Sequence, residues 1–147
     1  SDALLAVRQP LADQLLPGAR PMPGAEALVL NCVAQGIPMA LATSSSRKAV
    51  ERKAAPHSWL DLIKVRVYGD DPALRGGKPS PDPFLLAAER IGAAPQDCWA
   101  FEDSQAGIQA AIRAGCQVFA LVPDPSTAEL SVPKGVTVLR SLEDLAL

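Results

Sequence analysis

The chain switches repeatedly between two hydrophobic periodicities. Short apolar runs at Ile37–Ala42, Ile63–Tyr68, Cys98–Phe101 and Gln117–Val122 alternate with segments at Ala25–Gln35, Phe84–Ile91 and Gln105–Ala114, where apolar residues recur at helical spacing. Each helical segment runs directly into a glycine, Gly36, Gly92 or Gly115, the residue that most readily takes the left-handed conformation closing a helix. Apolar runs without strict alternation are the mark of strands buried on both faces. Strand, helix and strand in succession require crossover connections, so the fold class is α/β. The expected architecture is a three-layer αβα arrangement around an open, mostly parallel, Rossmann-like sheet. A last strand and helix are expected at Val136–Leu139 and Leu142–Leu145.

Composition narrows the possible functions. With 14 basic and 16 acidic residues in 147, and a net charge of -2, nothing favours a nucleic-acid or membrane-surface partner. The three cysteines, Cys32, Cys98 and Cys116, form no CxxC pair, and His57 is the sole histidine, which excludes a disulfide scaffold and a Cys/His zinc site. Their apolar surroundings read as buried free thiols in a reducing, cytoplasmic setting. The longest apolar runs fall far short of the roughly 20 residues that a membrane helix needs.

Residues 1–16 carry leucines at helical positions, Leu4, Leu5, Leu11, Leu15 and Leu16, interrupted by Pro10. Pro17, Gly18, Pro21, Pro23 and Gly24 follow as a turn-rich connector. The expected division is therefore a helical remnant and linker over 1–20 and a core domain over 21–147.

In open α/β sheets ligands bind at the carboxyl ends of the strands, and three such places here are chemically unusual. Thr43-Ser44-Ser45-Ser46 follows the first run; its hydroxyls and free backbone N–H groups suit a phosphate oxyanion, although helix capping explains them too. Lys78, in Gly76-Gly77-Lys78-Pro79, could neutralise a phosphoryl group, whereas a solvated loop lysine is the default for such a residue alone. A Walker loop is excluded, because Pro72 and Pro79 stand where it needs Gly and Ser or Thr. Glu102-Asp103 ends the third run. Paired carboxylates of this kind suit Mg²⁺ bound together with phosphate oxygens, and one of them alone would read as a helix cap. Together with Lys78 and Thr43 at neighbouring strand ends, they converge on magnesium-assisted phosphoryl transfer.

These residues also carry a family resemblance. Phe101-Glu102-Asp103-Ser104-Gln105-Ala106-Gly107-Ile108-Gln109-Ala110-Ala111, Gly77-Lys78-Pro79-Ser80-Pro81-Asp82-Pro83-Phe84 and Leu41-Ala42-Thr43-Ser44-Ser45 resemble, in order, three motifs of the haloacid dehalogenase-like hydrolases. The nearest subgroup is that of β-phosphoglucomutase, phosphoglycolate phosphatase and small sugar-phosphate phosphatases. The resemblance implies that the Thr43 hydroxyl and the Ser44 backbone N–H hold the phosphoryl group of a small phosphorylated metabolite, and that Lys78 balances its charge. It implies that Glu102 and Asp103 position Mg²⁺, with Asp103 as the direct ligand. Gly107 then fits a helix that starts beside the metal loop and must pack closely on the sheet.

One departure stands out. The family's first motif, an Asp-x-Asp at the end of the first strand, supplies the nucleophile and the general acid/base, and no Asp-x-Asp occurs in residues 1–30. Residues 1–16 resemble the end of the family's cap domain instead. The expectation is thus a core lacking its first central strand: a fragment, a chain completed by a partner or a second copy, or a sheet in which the strands ending at Thr43 and Phe101 pair directly. Exposed edges at the gap would favour self-association. The alternative to a phosphatase or phosphomutase is a non-catalytic module that binds phosphate or self-associates. Haloacid dehalogenation is disfavoured by the Glu-Asp pair, since that chemistry needs no metal. His57 reads as a surface loop residue, and Trp59 and Trp99 as packing residues.

Overall fold

Among the described residues the sheet has six strands, all parallel, and the first of these in chain order lies near the middle. A computed structural model describes residues 5–7, 24–122 and 132–144. The strands are β1 (Leu5–Val7), β2 (Met39–Ala42), β3 (Val65–Val67), β4 (Trp99–Glu102), β5 (Gln117–Leu121) and β6 (Thr137–Leu139). They run in the order β3-β2-β1-β4-β5-β6. The helices are α1 (Ala25–Gln35), α2 (Arg47–Ala54), α3 (Asp82–Ile91) and α4 (Gln105–Ala114), with short 3₁₀ turns at Ser58–Leu62, Pro95–Asp97 and Leu142–Asp144. The expected mostly parallel α/β architecture is the one observed.

Alternate residues of each strand face opposite layers, and the two faces differ in bulk. Met39, Leu41, Phe101, Phe119 and Leu121 pack with α1 and α2, through Leu28, Val29, Cys32 and Val50. Phe101 and Phe119, direct register partners, stack with centroids 5.1 Å apart. The opposite face is lined by Ala40, Ala42, Ala100 and Ala120, which meet Phe84, Ala87 and Ala88 of α3 and Ile108, Ala110 and Ala111 of α4. Small side chains on both sides let these helices lie close to the sheet, and α3 and α4 directly follow the loops that carry Lys78 and Asp103. Trp59 and Trp99 are partly buried against the first layer, as packing residues.

Helix ends follow local chemistry. The Ser104 hydroxyl accepts from the Gly107 N–H at 3.1 Å to start α4, and Gly115 closes it with a left-handed backbone at φ 92°. In α3 Pro81 is the capping residue, and the Ser80 hydroxyl accepts from the Asp82 N–H at 3.3 Å. Ile112 of α4 is 38% exposed, because the buried stripe runs through Gly107, Ile108, Ala110, Ala111 and Ala114. The last element is a 3₁₀ turn, not an α-helix.

The N-terminal expectation is corrected in one respect. Leu5–Val7, read from leucine spacing as part of a helix, is a strand, and it fills the slot between β2 and β4 that was expected to be empty. Leu5 and Ala6 pair with Met39 and Ala40 on one side, and Leu5, Ala6 and Val7 with Trp99, Ala100 and Phe101 on the other. Two inner strands left unpaired would strand rows of backbone donors and acceptors, and Leu5-Ala6-Val7 pairs with both. Direct pairing of β2 with β4 does not occur, and the bare edges that motivated self-association are covered. Apart from Leu5–Val7 and Gly24, the predicted helical remnant and connector lie outside the described residues.

Candidate active site

The carboxyl ends of β2 and β4 bring the predicted residues together. Thr43, directly after β2, is buried, and its backbone N–H donates to the Val67 carbonyl at 3.0 Å, extending the β2–β3 ladder by one residue. Its Oγ1 accepts from the Ser45 N–H at 3.1 Å, which folds the chain into a tight turn with Ser44 exposed at the tip. Ser46 caps α2 by accepting from the Ala49 N–H at 3.2 Å. Of this hydroxyl run, it is Ser46 that takes the helix-capping role.

The turn is held from the β3 side. The Gly69 N–H donates to the Ser45 carbonyl at 2.8 Å, and the Arg47 N–H donates to Asp70 Oδ1 at 3.1 Å. A Cβ at position 69 would collide with the Ser44 carbonyl oxygen and lie 2.7 Å from its carbon. Gly69 is therefore what lets the Thr43-Ser44-Ser45 turn lie flat on the following loop. No local pattern marks this role, since Gly69 reads in the sequence as an ordinary loop glycine.

Lys78 reaches from the long loop after β3 into the sheet. Its Nζ donates to the Ala42 carbonyl at 3.0 Å and to Glu102 Oε1 at 2.6 Å, and it lies 4.9 Å from the centroid of the Phe84 ring. The Lys78 side chain is 2% exposed and that of Glu102 is fully buried. This is no solvated loop lysine. Because β1 stops at Val7, level with Phe101, the ammonium bridges β2 and β4 just past the end of the strand between them. Removing either charge from a buried pair of this kind is costly, because the survivor stays desolvated.

Asp103 follows Glu102 and is half-buried at the mouth of the site, beside the Ser104 cap of α4. The structure thus gives the two carboxylates different positions: Glu102 inside, against Lys78, and Asp103 at the rim. Among the described residues, no group of three or more His, Cys, Asp or Glu side chains is gathered as a metal cage. A Mg²⁺ site of the usual kind needs only one or two carboxylates completed by phosphate oxygens and water. Asp103 with its neighbour fits that donor set.

The Lys78 loop is clamped at its base. Arg90 of α3 donates to Asp71 Oδ2 at 2.6 Å and Oδ1 at 3.0 Å, and also to the Arg66 carbonyl at 3.1 Å. That guanidinium, helped by the Ala73 N–H, holds the Asp71 carboxyl below the usual carboxylate range. Nineteen residues separate the partners, a pairing that no short motif announces. Arg113 of α4 donates to the Pro79 carbonyl at 3.3 Å and steadies the far side of Lys78. A groove of about 660 Å³ lined by Arg75, Asp82, Glu89 and Arg90 lies along α3 and includes none of Thr43, Lys78, Glu102 or Asp103. The site is defined by its convergent side chains, and the groove is separate from it.

The described residues contain no helix long and apolar enough to cross a membrane. His57 packs edge-on against Trp59, with centroids 6.4 Å apart, and takes no part in the site.

Comparison with known proteins adds an independent observation. A family model described as haloacid dehalogenase-like hydrolase matches residues 2–115, which span Thr43, Lys78, Glu102 and Asp103. This chain belongs to the haloacid dehalogenase-like hydrolase family. It is 44% identical over 134 residues to a probable pseudouridine-5'-phosphatase of Drosophila melanogaster, an alignment covering 88% of this chain and 58% of that protein. It is 35% identical over 130 residues to hexitol phosphatase A of Escherichia coli, covering 88% and 58%. Among solved structures, CbbY from Rhodobacter sphaeroides in complex with phosphate superposes with a TM-score of 0.71 at 27% identity, covering 88% of this chain and 58% of that one. The chain therefore spans less than two thirds of each of these haloacid dehalogenase-like relatives.

Proposed function

We propose that the chain is the phosphoryl-binding core of a phosphatase or phosphomutase acting on a small phosphomonoester, of the sugar phosphate or phosphoglycolate class. The observation that carries this reading is the buried Lys78 ammonium fixed between the Ala42 carbonyl and Glu102, beside the Thr43 turn. In this reading Thr43 and the Ser44 N–H bind the phosphoryl oxygens, and Lys78 offsets their charge without leaving Glu102. Asp103, with Glu102 behind it, would hold Mg²⁺, whose role when bound is to neutralise charge on the phosphoryl oxygens. In the complete enzyme the nucleophile would be the Asp of the family's first motif, which forms an aspartyl phosphate; no Asp-x-Asp stands in residues 1–30 of this chain. The phosphatase names of two relatives support the substrate class, and the free thiols of Cys32, Cys98 and Cys116 support a reducing, cytoplasmic setting.

One observation favours a second reading. The strand that ends at the site, β1, is followed in sequence by Arg8-Gln9-Pro10, with no carboxylate before Asp13. The chain by itself then binds phosphate without turning it over.

The test joins the chain to a family-like N-terminal segment bearing Asp-x-Asp and assays hydrolysis of small phosphomonoesters. Mg²⁺-dependent activity lost in Lys78→Ala and Asp103→Ala is expected, and full activity in Asp103→Ala overturns the proposed metal role. The 147 residues alone are expected to bind inorganic phosphate and show no turnover; metal-dependent turnover from the pure chain overturns the second reading.

A further inference from the structure

Gly107 is the third residue of α4, an interior helical position whose backbone is not left-handed. Backbone geometry therefore does not demand glycine, and at such a position alanine is ordinarily the better helix former. What demands glycine is the carboxylate of Glu102. A Cβ at position 107 would overlap Glu102 Oε2 and Cδ and lie 2.7 Å from Oε1, the oxygen that accepts from Lys78. The close approach anticipated for this glycine is thus to one side chain and not to the sheet backbone.

Neither partner has room to retreat. The first turn of α4 is fixed by the Ser104 cap, whose hydroxyl accepts from the Gly107 N–H itself. Below it, Ile108, Ala110 and Ala111 pack, fully buried, on the alanine-lined face of the sheet. Glu102 is fully buried at the end of β4, so its carboxylate can yield only by swinging about its own side-chain torsions. Lys78 is bound to it at 2.6 Å and would be drawn along, away from the Ala42 carbonyl.

We infer that Gly107 is a positioning residue for Lys78, acting through Glu102: the missing side chain at 107 sets where the site's ammonium group stands. The inference rests on the proposed phosphate-binding role of Lys78 for its functional meaning, but its geometry stands apart from that role.

The experiment is a cycle in the 147-residue chain with Gly107→Ala, Glu102→Asp, the double variant, and Glu102→Gln/Gly107→Ala as a control. Aspartate is one methylene shorter and draws the carboxylate back from position 107; glutamine keeps the length and loses the charge. The readouts are the urea midpoint, the Lys78 side-chain ¹⁵N resonance, and affinity for inorganic phosphate. Gly107→Ala alone is expected to lower the midpoint, shift the Lys78 resonance and weaken phosphate binding roughly tenfold. In the Glu102→Asp background the same substitution should have no further effect on any of the three, whereas the Glu102→Gln background should not rescue it. An unchanged midpoint and Lys78 resonance in Gly107→Ala, or an equal loss in the Glu102→Asp background, overturns the inference. A wild-type chain that binds no phosphate overturns the functional reading instead, and the midpoint and resonance still decide the coupling.

Discussion

Arg90 grips Asp71 with both guanidinium nitrogens, at 2.6 and 3.0 Å, and so fastens the C-terminal end of α3 to the base of the loop that carries Lys78. A carboxyl held below its ordinary value of 3.8 adds stability that is present above that value and is lost as pH falls through the lowered one. Asp71→Asn should therefore lower the thermal midpoint by a constant amount at neutral pH, with the gap to wild type closing below about pH 4. A gap that persists unchanged at pH 2 would contradict this assignment.

Lys78→Met should destabilise the chain by about 3–5 kcal/mol in urea titrations, because Glu102 keeps its buried position without the ammonium beside it. Adding Glu102→Leu should return most of that loss while leaving phosphate binding abolished. Stability and binding are expected to separate in the double variant.

Gly69→Ala places a methyl group on the Ser44 carbonyl. The predicted loss is about 1–3 kcal/mol, the usual range for overpacking. Phosphate affinity should fall with it, because the Thr43-Ser44-Ser45 turn must move. Gly77→Ala, where a Cβ meets nothing within 4 Å, is the control and should change the midpoint little.

Burial, with a smaller contribution from Cys98, pushes the Cys116 thiol up to about 12 from an ordinary 9.0. Its thiolate fraction at pH 8 is then roughly 1000-fold below that of an ordinary cysteine. Iodoacetamide should label the native chain very slowly and the urea-unfolded chain fast at all of its cysteines, as read by mass spectrometry. Rapid native labelling at Cys116 would contradict the burial.

Phe101→Ala removes one ring of the Phe101–Phe119 stack from the layer facing α1. A loss of about 3–5 kcal/mol is expected, with the Lys78 resonance unchanged if the two layers act independently.

Much of this was legible in the amino-acid sequence, and what was not shares a physical cause. Gly36, Gly92 and Gly115 marked helix ends because a left-handed backbone is a local requirement, and all three helices end there. Thr43, Lys78 and Glu102-Asp103 were recognisable because a topological rule puts strand ends side by side whatever lies between them. Leu5–Val7 was misread because three residues of strand leave no periodicity to detect; their pairing is decided by β2 and β4, more than thirty residues away. Arg90 with Asp71, and Gly69 with Ser44, were invisible for the same reason: each is a contact made by tertiary packing between residues whose own neighbourhoods are unremarkable in composition.

The Lys78 bridge has a consequence for how the molecule is assembled. Its two bonds span 36 and 24 residues of chain, so both close large loops whose entropy must be met before either bond can form. In the unfolded polymer Lys78 is one of 14 cations, indistinguishable from the rest in charge and hydration. Only when β2, the following loop and β4 have all docked does that one lysine become a dry, oriented charge. The site thus exists only in the assembled sheet, and an anion that binds it would report on how β2, the loop and β4 are docked.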